Sequence, residues 1–259
     1  MRLSTALVAC NENMRYLQFW PLVKKAWYEV VGIPCIMVYV AETLPDILKA
    51  DPAVIHFKPI QGWSTATQAQ VIRLLYPALL KADGAILLSD MDMIPMQSEF
   101  FHSKIESAKP NQFVCLRGIN EEIQQIYMCY VAATPSTFSR MFNIKQLDDI
   151  YERFNEWATI YKSDGLWDGV GWFSDQLILY KTVKSEPIEN LYINPYIDIE
   201  KFPRLDRGAI SEWVNPDESL HTCIKSGFYI DFHLPFHEIF HARISELYSI
   251  IPKCQIAPF

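Results

Sequence analysis

Asp90-Met91-Asp92 sets two carboxylates one residue apart at the end of an apolar run, Gly84-Ala85-Ile86-Leu87-Leu88-Ser89. Such a run, with Asp83-Gly84 in front and Pro95 behind, predicts a buried strand of an α/β sheet. Side chains at i and i+2 of an extended chain project to the same side. The spacing therefore predicts that Asp90 and Asp92 converge on one point past the strand's end, where open α/β sheets take their ligands. Two hard oxygen ligands there suit Mn²⁺ or Mg²⁺, with positions left for water and phosphate oxygens. An arbitrary D-x-D is more often a solvated acidic turn. The apolar strand before this pair and Ile94-Pro95 after it favour a metal–diphosphate site.

Four other segments carry groups that could join such chemistry. Val8-Ala9-Cys10-Asn11-Glu12-Asn13 ends a first apolar run, and its amide side chains could read a nucleobase edge and ribose, although an ordinary Asn-rich turn would look the same. Arg73 is the one cation amid Val71, Ile72, Leu74 and Leu75; it either points into water or offers its fork of donors to phosphate or carboxylate. Trp172-Phe173-Ser174-Asp175-Gln176 reads as a helix start, with Ser174 as N-cap and Asp175 in the first turn. In the functional reading, Asp175 and Gln176 form a cleft floor beside aromatic rings of the kind that stack on sugars. Near the end, His237-Glu238-Ile239-Phe240-His241 spells the zincin signature H-E-x-x-H. No further His follows to complete that site, and Ile244 and Leu247 stand where its extended form needs Gly and His. His233, closing the strand-like Phe228–Phe232 stretch, is the better ligand, and would join two Asp in a mixed O/N site that Mn²⁺ tolerates.

The elements that must position these groups follow from the apolar pattern. Strands are expected at Leu3–Cys10, Pro34–Val40, Val54–Lys58 and Ala85–Ser89, with a helix over Met14–Val31 interrupted near Pro21. A longer helix, capped by Ser64 or Thr65, is expected to run through Lys81. This β-α-β-β-α-β order predicts a mostly parallel sheet. Further on, strands are expected at Gln112–Leu116 and Ile126–Ala133. Helices are expected near Ser136–Phe142, at Leu147–Tyr161, from Ser174 onward and near Phe236–Ile250. A Gly- and Trp-rich loop, 165–172, precedes Ser174. No repeat or linker divides the 259 residues, so a single domain, 1–259, is expected, with 1–96 as its nucleotide-binding half and 97–259 carrying the acceptor half and a C-terminal helix.

Composition narrows the partners. Half the residues are apolar and 14% are aromatic, enough for a sizeable core. The formal net charge is −7 and no basic stripe runs along an expected helix, which argues against nucleic acid. An acidic chain that handles a diphosphate needs a local cation, and a divalent metal would supply one. The six Cys lack C-x-x-C spacing and read as reduced thiols. No stretch reaches membrane-spanning length, and Ala6–Cys10 is too short for a signal-peptide core. A soluble, cytoplasmic protein is the expectation.

Taken in order and spacing, these residues resemble a GT-A nucleotide-sugar glycosyltransferase, most like the retaining, glycogenin-like and bacterial galactosyltransferase-like family. The opening strand with Ala9, Asn11 and Asn13 is similar to that family's uridine-contacting segment. Arg73 stands about as far before the acids as the Arg those enzymes direct at the donor. Leu87-Leu88-Ser89-Asp90-Met91-Asp92 is similar to their D-x-D, and Asp175-Gln176 to their later D-Q pair. His233 falls near their third metal ligand, with His221 and His237 as the other candidates. Two features depart from the pattern: nothing like K-P-W follows His233, and Tyr127-Met128-Cys129-Tyr130 lacks the usual Asn-Ser/Ala-Gly. Such departures fit a divergent branch, viral or microbial.

The resemblance implies a Rossmann-like α/β fold, a mixed and mostly parallel sheet flanked by helices with the D-x-D at a strand end. It implies transfer of a sugar from a UDP-sugar to a glycan or other hydroxyl acceptor, with Asp90, Asp92 and His233 holding the metal. Ala9, Asn11, Asn13, Arg73 and Asp90 would bind the nucleotide-sugar. Asp175 would orient the donor sugar and Gln176 would lie near the reacting carbon; if the enzyme inverts instead, Asp175 becomes the base. Two other classes compete. A Mg²⁺-dependent phosphohydrolase could use the same D-x-D, and a zinc metalloprotease could use His237, Glu238 and His241.

Overall fold

The computed structural model describes residues 1–158, 171–194, 203–209 and 218–254. The C-terminal part of the Gly/Trp loop, Gly171-Trp172, falls within these residues; 165–170 lies outside them, as does Tyr161 of the helix expected at Leu147–Tyr161.

Seven strands form the main sheet: β1 (Leu3–Asn11), β2 (Cys35–Val40), β3 (Val54–Phe57), β4 (Ala85–Leu88), β6 (Phe113–Cys115), β7 (Val131–Ala133) and β8 (Leu191–Ile193), in the order β3-β2-β1-β4-β7-β6-β8. The first four are mutually parallel, as are β6 and β8; β7 alone runs against both its neighbours. A small second sheet places β10 (Asp231–His233) between β5 (Met93–Pro95) and β9 (Arg204–Leu205). Alternation of side chains puts Ala6, Val8 and Cys10 of β1 into one apolar layer and Leu7 into the other. The layer with Leu7 is filled by α4 (Thr65–Leu75), α6 (Pro135–Phe142), α7 (Leu147–Ala158) and α8 (Ser174–Ser185). The opposite layer takes α2 (Trp20–Ala26), α5 (Ser98–Glu106) and the C-terminal helix His241–Ile250, while the short α1 (Met14–Leu17) and α3 (Asp46–Lys49) add flanking residues. Strands buried on both faces explain why Ala85-Ile86-Leu87-Leu88 is apolar throughout.

Several expected boundaries move, each for a local reason. Ser64 does cap α4, its Oγ accepting from Thr67 N at 3.1 Å, but the α-helix stops at Leu75 and tightens into a 3₁₀ turn over Tyr76–Leu79. Pro77 has no N–H to continue the ladder, so the run never reaches Lys81. The first long helix is instead α1, α2 and a π-helical turn at Trp27–Val31 that ends on Gly32 at φ 80°. The strand expected over Ile126–Ala133 shrinks to Val131–Ala133, because the chain before it turns to α8, where Ile126 N donates to Gln176 O at 3.4 Å. Ser174 is not the cap of α8: Phe173 holds that position, and Ser174 Oγ donates to Gly171 O at 2.6 Å. His237 and His241 do not share one α-helix. His237 caps a 3₁₀ turn (Glu238–Phe240), and the α-helix begins only at His241.

Gly84 marks the entry to β4, where a Cβ would lie 2.3 Å from Arg2 O. That carbonyl accepts from Ala85 N at 2.8 Å and cannot withdraw without loss of the strand's first bond. Gly84→Ala is expected to cost about 1–3 kcal/mol by overpacking, read as a lower urea midpoint.

Candidate active site

β1, α4, β4, α8 and β10 bring their ends to one cavity of about 650 Å³. Ala9, Asn11, Asn13, Arg73, Asp90, Asp92, Asp175, Gln176 and His233 all line it. Asn11 bridges two elements, its Nδ2 donating to Thr65 Oγ1 at 3.1 Å, and Asn13 caps α1 by accepting from Arg15 N at 3.0 Å. His221 and His237 are not part of the cavity wall. His221 lies 3.6 Å from Glu246, and His241 contacts Gln18 Oε1 at 3.0 Å.

Arg73 does not point into water. It is 6% exposed, and its guanidinium lies between two acids, with Nη1 on Asp90 Oδ1 and Nη2 on Asp175 Oδ2 at 3.0 Å. One positive charge thus serves two carboxylates in a buried place. Burial would raise the Asp90 pKa, but Arg73 outweighs it and holds this carboxyl below its usual range. For Asp175 burial wins: with Asp90 adding to it against the pull of Arg73, its pKa is pushed up to about 6. Gln176, next in the chain, lines the same cavity, and its Oε1 has no hydrogen-bond partner among the described residues. A buried unpaired acceptor is costly unless a ligand completes it.

Asp90-Met91-Asp92 is a turn, not an extended strand end; Met93 N closes it on Asp90 O at 3.2 Å. The two acids therefore take different partners instead of converging. Asp92 faces β10, with Oδ2 3.3 Å from His233 Nε2 and 2.9 Å from Arg207 Nη1. His233 Nδ1 is held by Asp206 Oδ2 at 3.0 Å. Burial alone would lower the His233 pKa; the hydrogen bonds to Asp206 and Asp92 outweigh it and raise it.

Asp92 Oδ2 and His233 Nε2 stand about as far apart as neighbouring ligands of one ion whose bonds are about 2.1 Å. A carboxylate on Nδ1 is also the usual brace of a metal-binding imidazole. Among the described residues no three His, Cys, Asp or Glu side chains form a metal cluster. The donor set fits a divalent ion that keeps most of its positions for water and phosphate.

The sequence pattern did not single out Arg204-Leu205-Asp206-Arg207. Two of its charged residues hold groups of the cavity wall, and the third, Arg204, lines the cavity while pairing with buried Asp231. Arg204 forks onto Asp231 at 2.7 and 2.8 Å, Asp206 holds His233, and Arg207 holds Asp92. The alternation of charges about an apolar Leu205 was the available signal. Arg117, over the Tyr127 ring at 4.6 Å, is a further cavity residue that was missed.

Arg73→Met should destabilise the fold by about 3–5 kcal/mol, since it leaves two buried carboxylates without their counter-charge; denaturant unfolding measures this, and a second change, Asp175→Asn, should recover part of the loss. The pH dependence has a definite sign. A carboxyl raised on folding stabilises fully below its unfolded pKa and loses that contribution as pH rises through about 6. From about pH 4 to 7, Asp175→Asn should therefore gain about 3 kcal/mol relative to the unsubstituted protein, visible in urea titrations across that range.

No protein-family profile matches the chain, and no curated protein matches it by sequence. Solved structures do match. An active-site glutamine-to-glutamate mutant of LgtC aligns at a TM-score of 0.50 and 12% identity, over 98% of this chain and 97% of that one. The galactosyltransferase LgtC with donor and acceptor sugar analogues aligns at 0.49 and 12%, again over 98% and 97%. The glycosyltransferase GlyE of Streptococcus pneumoniae aligns at 0.49 and 10%, over 96% of this chain and 62% of that one. Sheet order and a likeness running nearly end to end give the protein the GT-A glycosyltransferase fold.

Proposed function

We propose that the chain is a metal-dependent glycosyltransferase that moves a sugar from a UDP-type nucleotide-sugar to a hydroxyl acceptor with retention. The observation that carries this is the Asp90–Arg73–Asp175 bridge beside the Asp92–His233 pair, all on one cavity at the D-x-D end of a GT-A sheet. A cavity of about 650 Å³ suits a ligand of nucleotide-sugar size. The neighbour LgtC was crystallised with donor and acceptor sugar analogues, which supports the same substrate classes here.

In this reading Asp92 and His233 hold Mn²⁺ or Mg²⁺, with Asp90 beside them. When bound, the metal neutralises the charge that develops on the departing diphosphate. Ala9, Asn11 and Asn13 contact the nucleoside. Arg73, fixed from two sides, keeps Asp90 ionised and holds Asp90 and Asp175 in register. The bond from the anomeric carbon to the diphosphate oxygen breaks with its electron pair on the diphosphate. The acceptor oxygen bonds to the same face, and its proton passes to the phosphate oxygen just freed. Asp175 is engaged by Arg73, whereas Gln176 Oε1 is unpartnered among the described residues, so Gln176 is the polar group available to the oxocarbenium-like carbon. That difference favours retention over a base role for Asp175.

No helix among the described residues is long and apolar enough to cross a membrane. The six Cys are free thiols, in keeping with the cytoplasmic setting of this proposal. The phosphohydrolase and zinc-protease readings find no specific support in this geometry.

Thermal-shift assays with a panel of nucleotide-sugars, with and without Mn²⁺, test the function. A ligand at a hundred times its Kd should add about 2.7 kcal/mol of stability. Asp92→Ala should abolish metal-dependent turnover of the stabilising donor; near wild-type UDP-sugar hydrolysis by that variant would sink the metal assignment.

A further inference from the structure

Arg207 is placed for more than bracing Asp92. Its guanidinium carbon lies 4.2 Å from the centre of the Phe236 ring, and the side chain is 25% exposed on the cavity wall. Nη1 is engaged by Asp92 Oδ2 at 2.9 Å, with Leu234 O at 3.5 Å. Nε and Nη2 have no hydrogen-bond partner among the described residues. A planar fork stacked on a ring, with one edge spent and another open to the cavity, is pre-organised for a phosphate. The same Asp92 oxygen that binds Arg207 also faces His233 Nε2 at 3.3 Å. A divalent ion held by Asp92 and His233 and the Arg207 cation therefore draw on one carboxylate.

We propose that Arg207 is the diphosphate-binding cation of this site, and that it and the divalent ion compete for Asp92 until a nucleoside diphosphate takes the guanidinium. This rests on the nucleotide-sugar reading and adds to it a residue that lies well before His233 in the chain. Phosphate oxygens replace Asp92 as the partner of Arg207, and Asp92 Oδ2 is released to the metal. Two consequences have opposite signs. Nucleoside diphosphate should bind measurably without any divalent ion, through Arg207. Metal should bind the nucleotide-free protein more weakly than its ligands allow, because Arg207 already occupies Asp92. By linkage, nucleotide and metal then strengthen one another to the same degree.

The test compares the wild type with Arg207→Met and Arg207→Lys, using UDP in excess EDTA by calorimetry and Mn²⁺ alone by titration of its free EPR signal. Wild type should bind UDP in EDTA, Arg207→Met should lose at least about tenfold in that affinity, and Arg207→Lys should keep part of it. Arg207→Met should also bind Mn²⁺ several-fold more tightly than wild type. An Arg207 that only supports the fold would weaken both affinities, and Arg207→Lys guards against a folding defect. UDP affinity in EDTA that is equal in wild type and Arg207→Met, or Mn²⁺ affinity that falls with it, overturns the proposal. UDP binding by wild type only when Mn²⁺ is present also overturns it, while leaving the nucleotide-sugar reading intact. If wild type binds none of UDP, CDP or GDP under either condition, both fail.

Discussion

A single guanidinium shared by two buried carboxylates is the constraint on which the rest of the site depends. Arg73 sits on α4, Asp90 past β4 and Asp175 at the start of α8, so the bridge joins three elements drawn from distant parts of the chain. Burying charge is tolerable only when it is paired and hydrogen-bonded. Two acids on one base leave the group with one net negative charge, and burial, with Asp90 adding to it, pushes the Asp175 pKa above the usual carboxyl range. The deficit is chemically useful. A cluster that is anionic inside a cavity wall attracts cationic or hydrogen-bond-donating partners, among them sugar hydroxyls and metal ions.

The second group of charges balances differently. Asp92 and Asp206 meet Arg207 and His233 across the small sheet, and Arg204 with Asp231 closes the series two residues earlier on each segment. Antiparallel pairing of β5 with β10 sets His233 opposite Met93, just beyond Asp92. Parallel pairing of β10 with β9 then places Arg204 opposite Asp231. Backbone register, not side-chain preference, decides which acid meets which base. A one-residue slip of β10 would turn His233 to the other face and undo the arrangement.

How much of this was legible in the sequence depended on range. β4 was readable because Gly84 and Pro95 punctuate an unbroken apolar run. The identity of Arg73 as the lone cation of an apolar helix was readable too, although its direction was not, since a single sequence does not say which end of the sheet a helix face meets. Segment 126–130 was misread because Ile126, Tyr127 and Tyr130 have the composition of a strand, whereas Ile126 N pairs with Gln176 O, a partner 50 residues away that no local pattern announces. The convergence expected of Asp90 and Asp92 failed because the chain turns at Met91, whose side chain is buried in the apolar layer. The Arg204–Arg207 run was harder to read: its charges alternate about Leu205, but its contacts to Asp231 and His233 each span 27 residues, and the alternation does not name those partners.

β10 lies between β5 and β9, and this has a consequence for how the molecule comes into being. Strands β1 to β4 pair with one another and can assemble while the later chain is still being made. The small sheet cannot, because its middle strand arrives more than 130 residues after β5. Contacts of such long separation are the slow ones in folding. Until β10 docks, Asp92 lacks His233, and the cavity lacks one wall. The nascent protein thus acquires its scaffold first and its chemistry last, so that an interrupted chain would be folded in part yet inert.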